Sequence, residues 1–220
     1  MLRINNVSKS FLIEGEQHKI LKDINLEIED SRSICILGKS GSGKSTLLST
    51  LAGLLTPETG EISFDGQNIT SLSEEQRTNF RMNNIGFIFQ DFKLITHLTV
   101  LENVLLPLEL KKIKDRENIA IKNLNNVGLG HRKNAFPDTL SGGEKQRVAM
   151  ARALAINAKI ILADEPNANL DIETGRQVID YLFKLKEELG QTLLLVTHDE
   201  ELSKRCEEIY RLEDGVLKKQ

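Results

Sequence analysis

The sequence predicts an α/β fold with a mostly parallel sheet, and three observations support this fold class. Short apolar strand segments alternate with helical segments along most of the 220 residues, which is typical of parallel sheets covered by helices. A glycine-rich turn joins one of these strands directly to a helix. Between about residues 91 and 157 the pattern becomes continuously helical, which predicts a helical subdomain inserted into the α/β core.

The N-terminal part of the chain alternates between strand and helix signals. A polar stretch containing Gly15 predicts a loop between the first two strands, and Pro57 and Gly60 mark another loop. Ser73, followed by two glutamates, predicts the cap of a helix with an acidic first turn. The predicted strands are residues 2–7, 24–29, 33–37, 61–64 and 85–89, and a helix is predicted at 46–52.

In the rest of the chain, the alternation of strand and helix signals first stops and then resumes. Three consecutive helices are predicted at 100–110, 116–127 and 142–156. The C-terminal part predicts strands at 159–164 and 192–197, a helix at 173–189, a short further helix, and a hairpin around Asp214-Gly215. Resumed alternation indicates that the chain returns to the α/β core after the helical block.

Composition excludes several classes of protein. The formal net charge is −3, with 29 basic and 32 acidic residues, so no electrostatic case exists for nucleic acid as a partner. Cys35 lies in a predicted strand, which favours a buried thiol over a disulfide with the distant Cys206 and indicates a cytosolic protein. The N-terminus lacks the apolar stretch of a signal peptide. No run approaches the roughly 18 apolar residues of a membrane span, so any membrane role is expected to act through a partner.

The glycine-rich turn after strand 33–37 has the spacing of a phosphate-binding loop, Gly-x-x-x-x-Gly-Lys-Ser/Thr. Its residues are Gly38, Lys39, Ser40, Gly41, Ser42, Gly43, Lys44, Ser45 and Thr46. Exposed N–H groups of such a loop and the helix behind it bind anionic oxygens. Lys44 supplies a charge for the β- and γ-phosphates, and the Ser45 hydroxyl is suited to Mg²⁺. The alternative is a glycine-rich turn with an unrelated lysine, which the flanking strand and helix disfavour.

Two further features suggest chemistry. Asp164 and Glu165 end an apolar strand at the sheet edge where ligands bind in α/β folds. Asp164 is placed to hold Mg²⁺ through water and Glu165 to polarise a water aimed at the γ-phosphate; the alternative is an ordinary solvated strand end. Ser141, Gly142 and Gly143 open the last helix of the helical block, and their pattern fits either a second anion site or a plain helix cap.

The order of these motifs along the chain resembles the ATP-binding subunit of an ABC transporter. It comprises the phosphate loop, Gln90, Leu-Ser-Gly-Gly at 140–143, Asp164-Glu165-Pro166, Leu170-Asp171 and His198. The resemblance covers essentially the whole chain. It implies a P-loop NTPase (RecA-like) core with an N-terminal antiparallel portion, at about residues 1–90 and 158–220, and a helical subdomain at about 91–157.

The resemblance also implies an activity and its partners. The subunit is expected to bind ATP and Mg²⁺ and to hydrolyse ATP. Two copies are expected to pair head to tail, so that each ATP lies between the phosphate loop of one copy and the Ser141–Gly143 signature of the other. The expected location is the cytoplasmic face of the inner membrane, where the subunit is attached through an integral membrane permease.

The resemblance assigns roles to single residues. Gln90 is expected to contact Mg²⁺ and relay to the permease, Glu165 to be the general base, and His198 to hydrogen-bond the γ-phosphate. Asp171 is expected in the loop that crosses the dimer interface. Three positions depart from the family pattern: Phe11 in place of the usual adenine-stacking Tyr, Glu144 in place of Gln after the signature, and Asn167 in the loop before Asp171.

The branch of the family is suggested by two segments. Residues 84–90 and 98–108 resemble the lipoprotein-release and macrolide-export branch, in which the ATPase acts on a permease with few transmembrane helices. A solute-uptake ATPase and a soluble ABC protein of translation or DNA repair remain alternatives. The soluble proteins usually carry two cassettes or a long coiled-coil insertion, which this sequence lacks. A P-loop kinase is opposed by the signature and by Glu165 directly after Asp164.

Overall fold

The structure is a computed structural model that describes residues 1–168 and 170–220. In chain order the strands are β1 (Leu2–Ile13), β2 (Glu16–Ile28), β3 (Ser33–Leu37), β4 (Thr59–Phe64), β5 (Gln67–Asn68), β6 (Ile85–Ile88), β7 (Ile160–Asp164), β8 (Thr192–Thr197), β9 (Glu208–Glu213) and β10 (Val216–Lys219). The helices are α1 (Lys44–Leu51), α2 (Glu74–Asn84), α3 (Val100–Leu110), α4 (Arg116–Asn126), α5 (Gly142–Ala155), α6 (Ile172–Leu189) and α7 (Glu200–Ser203).

These elements form two compact units. The first unit comprises Met1–Arg81 and Thr192–Gln220, and the second comprises Met82–Gln191. The predicted division into a nucleotide-binding core and a helical subdomain, with limits near residues 90 and 157, stays a prediction. In the parts of the chain that the structure describes, none of the helices is both long and apolar enough to cross a lipid bilayer.

A parallel sheet runs through the first unit. β3 lies between β8 and β9 and is parallel to both, and β10 pairs antiparallel with β9 at the edge. Every residue of β3 and β8 is buried, as expected for parallel strands covered on both faces. α1 follows β3 directly, which confirms the predicted strand-turn-helix around the glycine-rich loop.

A second, antiparallel sheet in the same unit has the strand order β2-β1-β4-β5. It confirms the expected antiparallel N-terminal portion, but the predicted polar loop between strands 2–7 and 24–29 is wrong. β1 and β2 pair along almost their whole length and turn at Glu14 and Gly15, both with positive φ, as a two-residue hairpin turn requires. Residues 11–19 are exposed, so this part of the hairpin lacks the apolar alternation of a half-buried strand.

The described residues of the second unit form two parallel strands, β6 and β7, and four α-helices. Its helices confirm the predicted segments to within a few residues. α5 lies close against β6, because a β-carbon on Gly86 would be 2.6 Å from the carbonyl oxygen of Ala153. Thr99 and Glu102 form a capping box at the start of α3, which explains why this helix begins at Val100.

The two cysteines are both free and buried. Cys35 lies in the middle of β3, as predicted for a small apolar residue in a covered strand. A hydrogen bond with the Cys206 thiol, followed by burial, raises the pKa of the Cys35 thiol far above its usual value. Since thiolate is the reactive form, Cys35 is a packing residue.

Candidate functional site

The glycine-rich loop of the first unit is built by close backbone contacts. The Gly38 N–H donates to the carbonyl of Thr197 at the end of β8, and a β-carbon on Gly38 would lie 2.8 Å from the carbonyl oxygen of Leu212. Gly43 has a φ of 101° and precedes α1. A β-carbon there would lie 2.9 Å from Ile20 Cγ2, so both positions accept only glycine without rearrangement.

Lys44 is held at the centre of this loop. Its side chain is 5% exposed, and Nζ donates to the carbonyl oxygens of Gly38 at 2.8 Å and Lys39 at 2.9 Å. The loop therefore wraps around the ammonium group of its own lysine. Gly43 cannot cap the first turn of α1 with a side chain, and α1 has no other side-chain cap among the residues that the structure describes. This helix end suits an anion.

A cleft of about 840 Å³ opens beside the loop. Its walls are three segments of the first unit: residues 39–42 of the loop, Lys19, Ile20 and Lys22 of β2, and the turn of residues 212–215 between β9 and β10. The volume lies within the range of small-molecule pockets, roughly 300–1,000 Å³. Three lysines and two carboxylates line it, so the cleft combines cations for phosphate with acceptors for hydroxyl groups.

The contribution of β2 to this cleft was not predicted from sequence. Lys19, Ile20 and Lys22 fell in the stretch that the sequence predicted as a loop, and their position follows from pairing across the hairpin. No local pattern marked these residues, because Lys-Ile-Leu-Lys does not alternate between polar and apolar side chains, although β2 buries Leu21 and leaves Lys19 exposed.

Phe11 and His198 lie in the same unit as the loop. Phe11 is 36% exposed near the hairpin end, with Lys9 Nζ 5.5 Å from its ring centroid. An exposed aromatic ring on this strand is available for stacking. His198 is exposed and directly follows Thr197, the residue that binds the start of the glycine-rich loop. This connection places His198 at the loop end of β8, as predicted.

Asp164 and Glu165 lie in the second unit, at the end of β7. The two side chains are 8% and 9% exposed. Glu165 has a φ of 44°, a left-handed conformation that costs a non-glycine residue roughly 1–2 kcal/mol. Backbone strain of this kind is concentrated at functional sites. A buried, strained carboxylate agrees with a catalytic role better than with an ordinary solvated strand end.

Gln90 is exposed just after β6. The backbone beyond it is unusual, because Phe92 and Lys93 both have positive φ, at 63° and 48°. Gln90 and Glu165 thus lie just beyond the carboxyl ends of two paired parallel strands of the second unit, and Asp164 is the last residue of one of them. Their joint action with Ser45 and the rest of the glycine-rich loop stays a prediction.

The signature segment forms the start of α5. Ser141 Oγ accepts from the Glu144 N–H, and the Glu144 carboxylate accepts from the Ser141 N–H at 2.8 Å. This second hydrogen bond is the largest cause of the lowered pKa of Glu144. Glu144, a departure from the family pattern, therefore completes a capping box. It also lies 3.3 Å from Arg132 Nε.

The signature lies against the start of α6. A β-carbon on Gly143 would clash with Thr174 Cγ2, so glycine is required there for packing within one chain. Asp171 caps α6 by accepting from the Thr174 N–H at 3.0 Å, which lowers the pKa of Asp171. Asn167, the third departure from the family pattern, lies shortly before this cap, and Asn169 lies outside the described residues. A role for Asp171 between two copies stays a prediction.

One buried side chain of α5 is energetically unfavourable. Gln146 is 1% exposed, and neither its amide nitrogen nor its oxygen has a hydrogen-bond partner among the described residues. A buried polar group without a partner costs roughly 1–3 kcal/mol. Gln146 lies five positions after Ser141 on the signature helix.

Replacing Gln146 with Met, which has a similar volume, is expected to stabilise the isolated chain by about 1–2 kcal/mol. The measurement is thermal unfolding followed by circular dichroism, with Gln177→Met at an exposed position of α6 as the matched control. A lower midpoint for Gln146→Met would show that the amide has a partner in solution, such as an ordered water.

Comparison with known proteins agrees with this geometry. Residues 21–168 match the family model described as ABC transporter. The chain is 43% identical to the lipoprotein-releasing system ATP-binding protein LolD of Francisella tularensis, over 99% of the chain and 95% of LolD. It is 42% identical to the ABC transporter ATP-binding protein YtrE of Bacillus subtilis, over 99% and 97% of the two chains.

A solved structure shows the same fold. The post-hydrolysis dimer of the ATP-binding cassette MJ0796, bound to ADP and Pi, is 40% identical to this chain. It superposes with a TM-score of 0.94 over 100% of this chain and 98% of the other. The likeness confirms the P-loop NTPase fold that the sequence predicted.

Proposed function

This chain belongs to the ABC transporter family of ATP-binding subunits, and we propose that it drives a membrane permease of the lipoprotein-release or macrolide-export type. The family hydrolyses ATP, so the chain is an ABC ATPase. The observation that carries the proposal is the loop around Lys44, which opens onto a cleft of about 840 Å³ lined by three lysines. Likeness to LolD over 99% of the chain supports the branch.

The residues present fit Mg²⁺ and ATP. The uncapped start of α1 suits phosphate oxygens. The exposed ring of Phe11 offers a face for adenine, and the hydroxyl of Ser45 with the oxygens of Gln90 and Asp164 are the ligand types that Mg²⁺ prefers. When bound, Mg²⁺ would neutralise phosphate charge and orient the phosphates for in-line attack.

In the proposed reaction the protein positions a water and removes its proton. Glu165 accepts the proton of the attacking water, and its buried position on a left-handed backbone at the strand end supports this role. His198 donates a hydrogen bond to the γ-phosphate from the loop end of β8. Lys44 exchanges its carbonyl partners for phosphate oxygens, a charge-assisted contact.

We also propose that a second copy completes each site. The start of α5 presents N–H groups beside Gly142 and Gly143, and these would meet the ATP held by the partner copy. A dimer bound to ADP and Pi in the related cassette MJ0796 supports this arrangement. The permease would hold the dimer at the cytoplasmic face of the membrane. An uptake importer is the alternative within the family.

The function is tested by co-expressing this chain with candidate permeases that have few transmembrane helices. Co-expression should yield a detergent-stable complex, and its ATPase rate should exceed that of the isolated chain. Reconstitution with a lipoprotein or a macrolide substrate distinguishes the export branch from an importer. A chain that purifies without any membrane protein and has full activity alone would contradict the coupling.

Replacing Lys44 with Ala is expected to weaken ATP binding by roughly 10- to 100-fold, since hydrogen bonds to charged groups contribute about 1.5–3 kcal/mol. Calorimetry with a non-hydrolysable analogue measures the change, and Lys122→Ala at an exposed position of α4 is the control. Wild-type affinity in Lys44→Ala would remove the assignment of this loop to phosphate.

A further inference from the structure

Arg152 connects the signature helix to the loop that follows Gln90. It lies in the last turn of α5. Its Nη1 donates to the carbonyl oxygen of Lys93 at 2.6 Å, and its Nη2 donates to that of Phe92 at 2.7 Å. One planar guanidinium therefore binds two successive carbonyl groups, a geometry that the compact ammonium of a lysine cannot reproduce.

The two carbonyl groups face one guanidinium because of the unusual backbone that carries them. Phe92 and Lys93 have φ angles of 63° and 48°, a conformation that is uncommon for residues with a β-carbon and rarer still in succession. Such a conformation persists when the surrounding structure fixes it. Arg152 supplies the side chain that fixes it here.

The arginine keeps its charge in this place. Burial lowers the pKa of Arg152 to about 10, so the guanidinium is still protonated at neutral pH. Hydrogen bonds from a charged donor are shorter and stronger than neutral ones, and partial burial strengthens them further. The contact of Arg152 with the carbonyl groups of Phe92 and Lys93, which we call the clamp, is therefore stronger than an ordinary loop contact on a protein surface.

The next part of the loop is held by a second buried side chain. Asn103 of α3 is fully buried. Its Oδ1 accepts from the Ile95 N–H at 2.8 Å, and its Nδ2 donates to the carbonyls of Ile95, Leu98 and Thr99 at 3.0–3.1 Å. Residues 92–99 are thus attached to α5 and α3 of the second unit by two polar side chains.

α5 links this clamp to the signature. The helix has 14 residues, which corresponds to a length of about 21 Å. Ser141, Gly142 and Gly143 stand at its first turn and Arg152 in its last. A continuous α-helix is stiff over this distance, so a displacement of its start moves Arg152 and the carbonyl groups that Arg152 holds.

We propose that Arg152 is a positioning residue for ATP hydrolysis, which fixes the loop after Gln90 to the signature helix so that both move as one body. The inference rests on the proposed function, in which Gln90 faces the nucleotide of its own chain and the signature faces the nucleotide held by the partner copy. Without the clamp, the loop samples other conformations and Gln90 is less often in place. Turnover then falls, while the binding of ATP at the glycine-rich loop is unchanged.

The chain contains no tryptophan, which allows a direct measurement on the loop. Phe92→Trp places a single fluorophore on one of the two residues that Arg152 clamps. In this background Arg152→Met removes the donors and keeps an unbranched side chain, and Arg152→Lys keeps the charge without the paired donors.

Lys111→Met is the matched control. Lys111 Nζ donates to the carbonyl oxygen of Ile156 just beyond α5, and burial lowers its pKa as it does for Arg152. Both substitutions therefore remove a partly buried cation near the C-terminal end of α5: Arg152 belongs to the helix, and Lys111 reaches it from the end of α3. Arg152 reaches the loop after Gln90, whereas Lys111 donates to a carbonyl at the end of the helix.

Arg152→Met is expected to lower the fluorescence anisotropy of Trp at position 92 and to reduce kcat by about tenfold, while KM for ATP stays within about twofold. Arg152→Lys should give intermediate values for both. Lys111→Met should retain the anisotropy and kcat of the Phe92→Trp background, even if the variant unfolds at a lower temperature. If Arg152→Met does not fold, the anisotropy and kcat of Arg152→Lys are compared with those of Lys111→Met instead.

Equal anisotropy and equal kcat in Arg152→Met and Lys111→Met would overturn the proposal. A lowered anisotropy with an unchanged kcat would equally overturn it, because the clamp would then have no effect on hydrolysis. If the Phe92→Trp background and the unmodified chain both fail to hydrolyse ATP, the proposed function fails. The anisotropy comparison then decides by itself whether Arg152 fixes the loop.

Discussion

Replacing Glu165 with Gln is expected to slow ATP hydrolysis by roughly 10²–10⁴-fold and to leave ATP binding intact. Gln has nearly the same shape and can occupy the same left-handed backbone conformation with a similar strain. Its amide can hydrogen-bond a water but cannot accept the proton of that water. The loss therefore falls on turnover, which separates Glu165 from residues that bind the nucleotide.

The measurement is phosphate release at saturating ATP, together with nucleotide affinity by calorimetry. Glu173→Gln is the matched control, because it makes the same chemical change at an exposed position in the first turn of α6. The Glu165→Gln chain should also elute as a dimer when ATP is present, since the closed state is no longer consumed. Unchanged turnover would show that another group activates the water.

The sequence predicted the phosphate-binding loop better than the segments that form the cleft beside it. The glycine-rich loop is a contiguous motif whose flanking strand and helix are also contiguous, so local patterns are enough to place it. The cleft beside it is formed by β2 and by the turn of residues 212–215. These segments are distant in the sequence and carry ordinary surface residues, so no local pattern marks them.

The N-terminal hairpin shows why a strand can be missed. Residues 11–19 are exposed, so pairing between β1 and β2 is maintained by backbone hydrogen bonds and the turn at Glu14-Gly15. A strand that buries neither face has no apolar period to read. Phe11 was nevertheless identified, because the family resemblance supplied its position independently of the secondary structure.

Arg152 and Asn103 illustrate a second limit of sequence reasoning. An arginine near the end of a helix is usually a solvated residue or a favourable charge at the helix C-terminus. Its importance arises from the backbone of Phe92 and Lys93, whose positive φ angles are not encoded by glycine. Strain fixed by a side chain from another element becomes visible only when the elements are packed.

The structure also changes how the signature should be tested. Any side chain at position 143 would clash with Thr174 of the same chain, so substituting Gly143 would disturb packing before it reached a partner. Ser141 is exposed and caps α5. Asp and Asn are both good N-caps, so Ser141→Asp and Ser141→Asn keep the helix start and differ in charge.

Ser141→Asp is expected to abolish ATP-driven dimerisation and to reduce hydrolysis by about 10²–10³-fold, since unfavourable charge contacts across an interface cost several kcal/mol. The new carboxylate would face the γ-phosphate bound by the partner copy. Ser141→Asn should retain much of the wild-type rate, and both variants should bind ATP as monomers. Equal losses in the two variants would indicate that the Ser141 hydroxyl itself matters and not the added charge.

Mixing Ser141→Asp with Lys44→Ala decides whether the site is shared between copies. In a mixed dimer, one site combines both defects, and the other joins an intact loop from the Ser141→Asp chain to an intact signature from the Lys44→Ala chain. Activity should therefore return on mixing, although each chain alone is nearly inactive. If each ATP were instead served by the loop and signature of one chain, every site in the mixture would be defective. A mixture no more active than its components would thus contradict a site completed in trans.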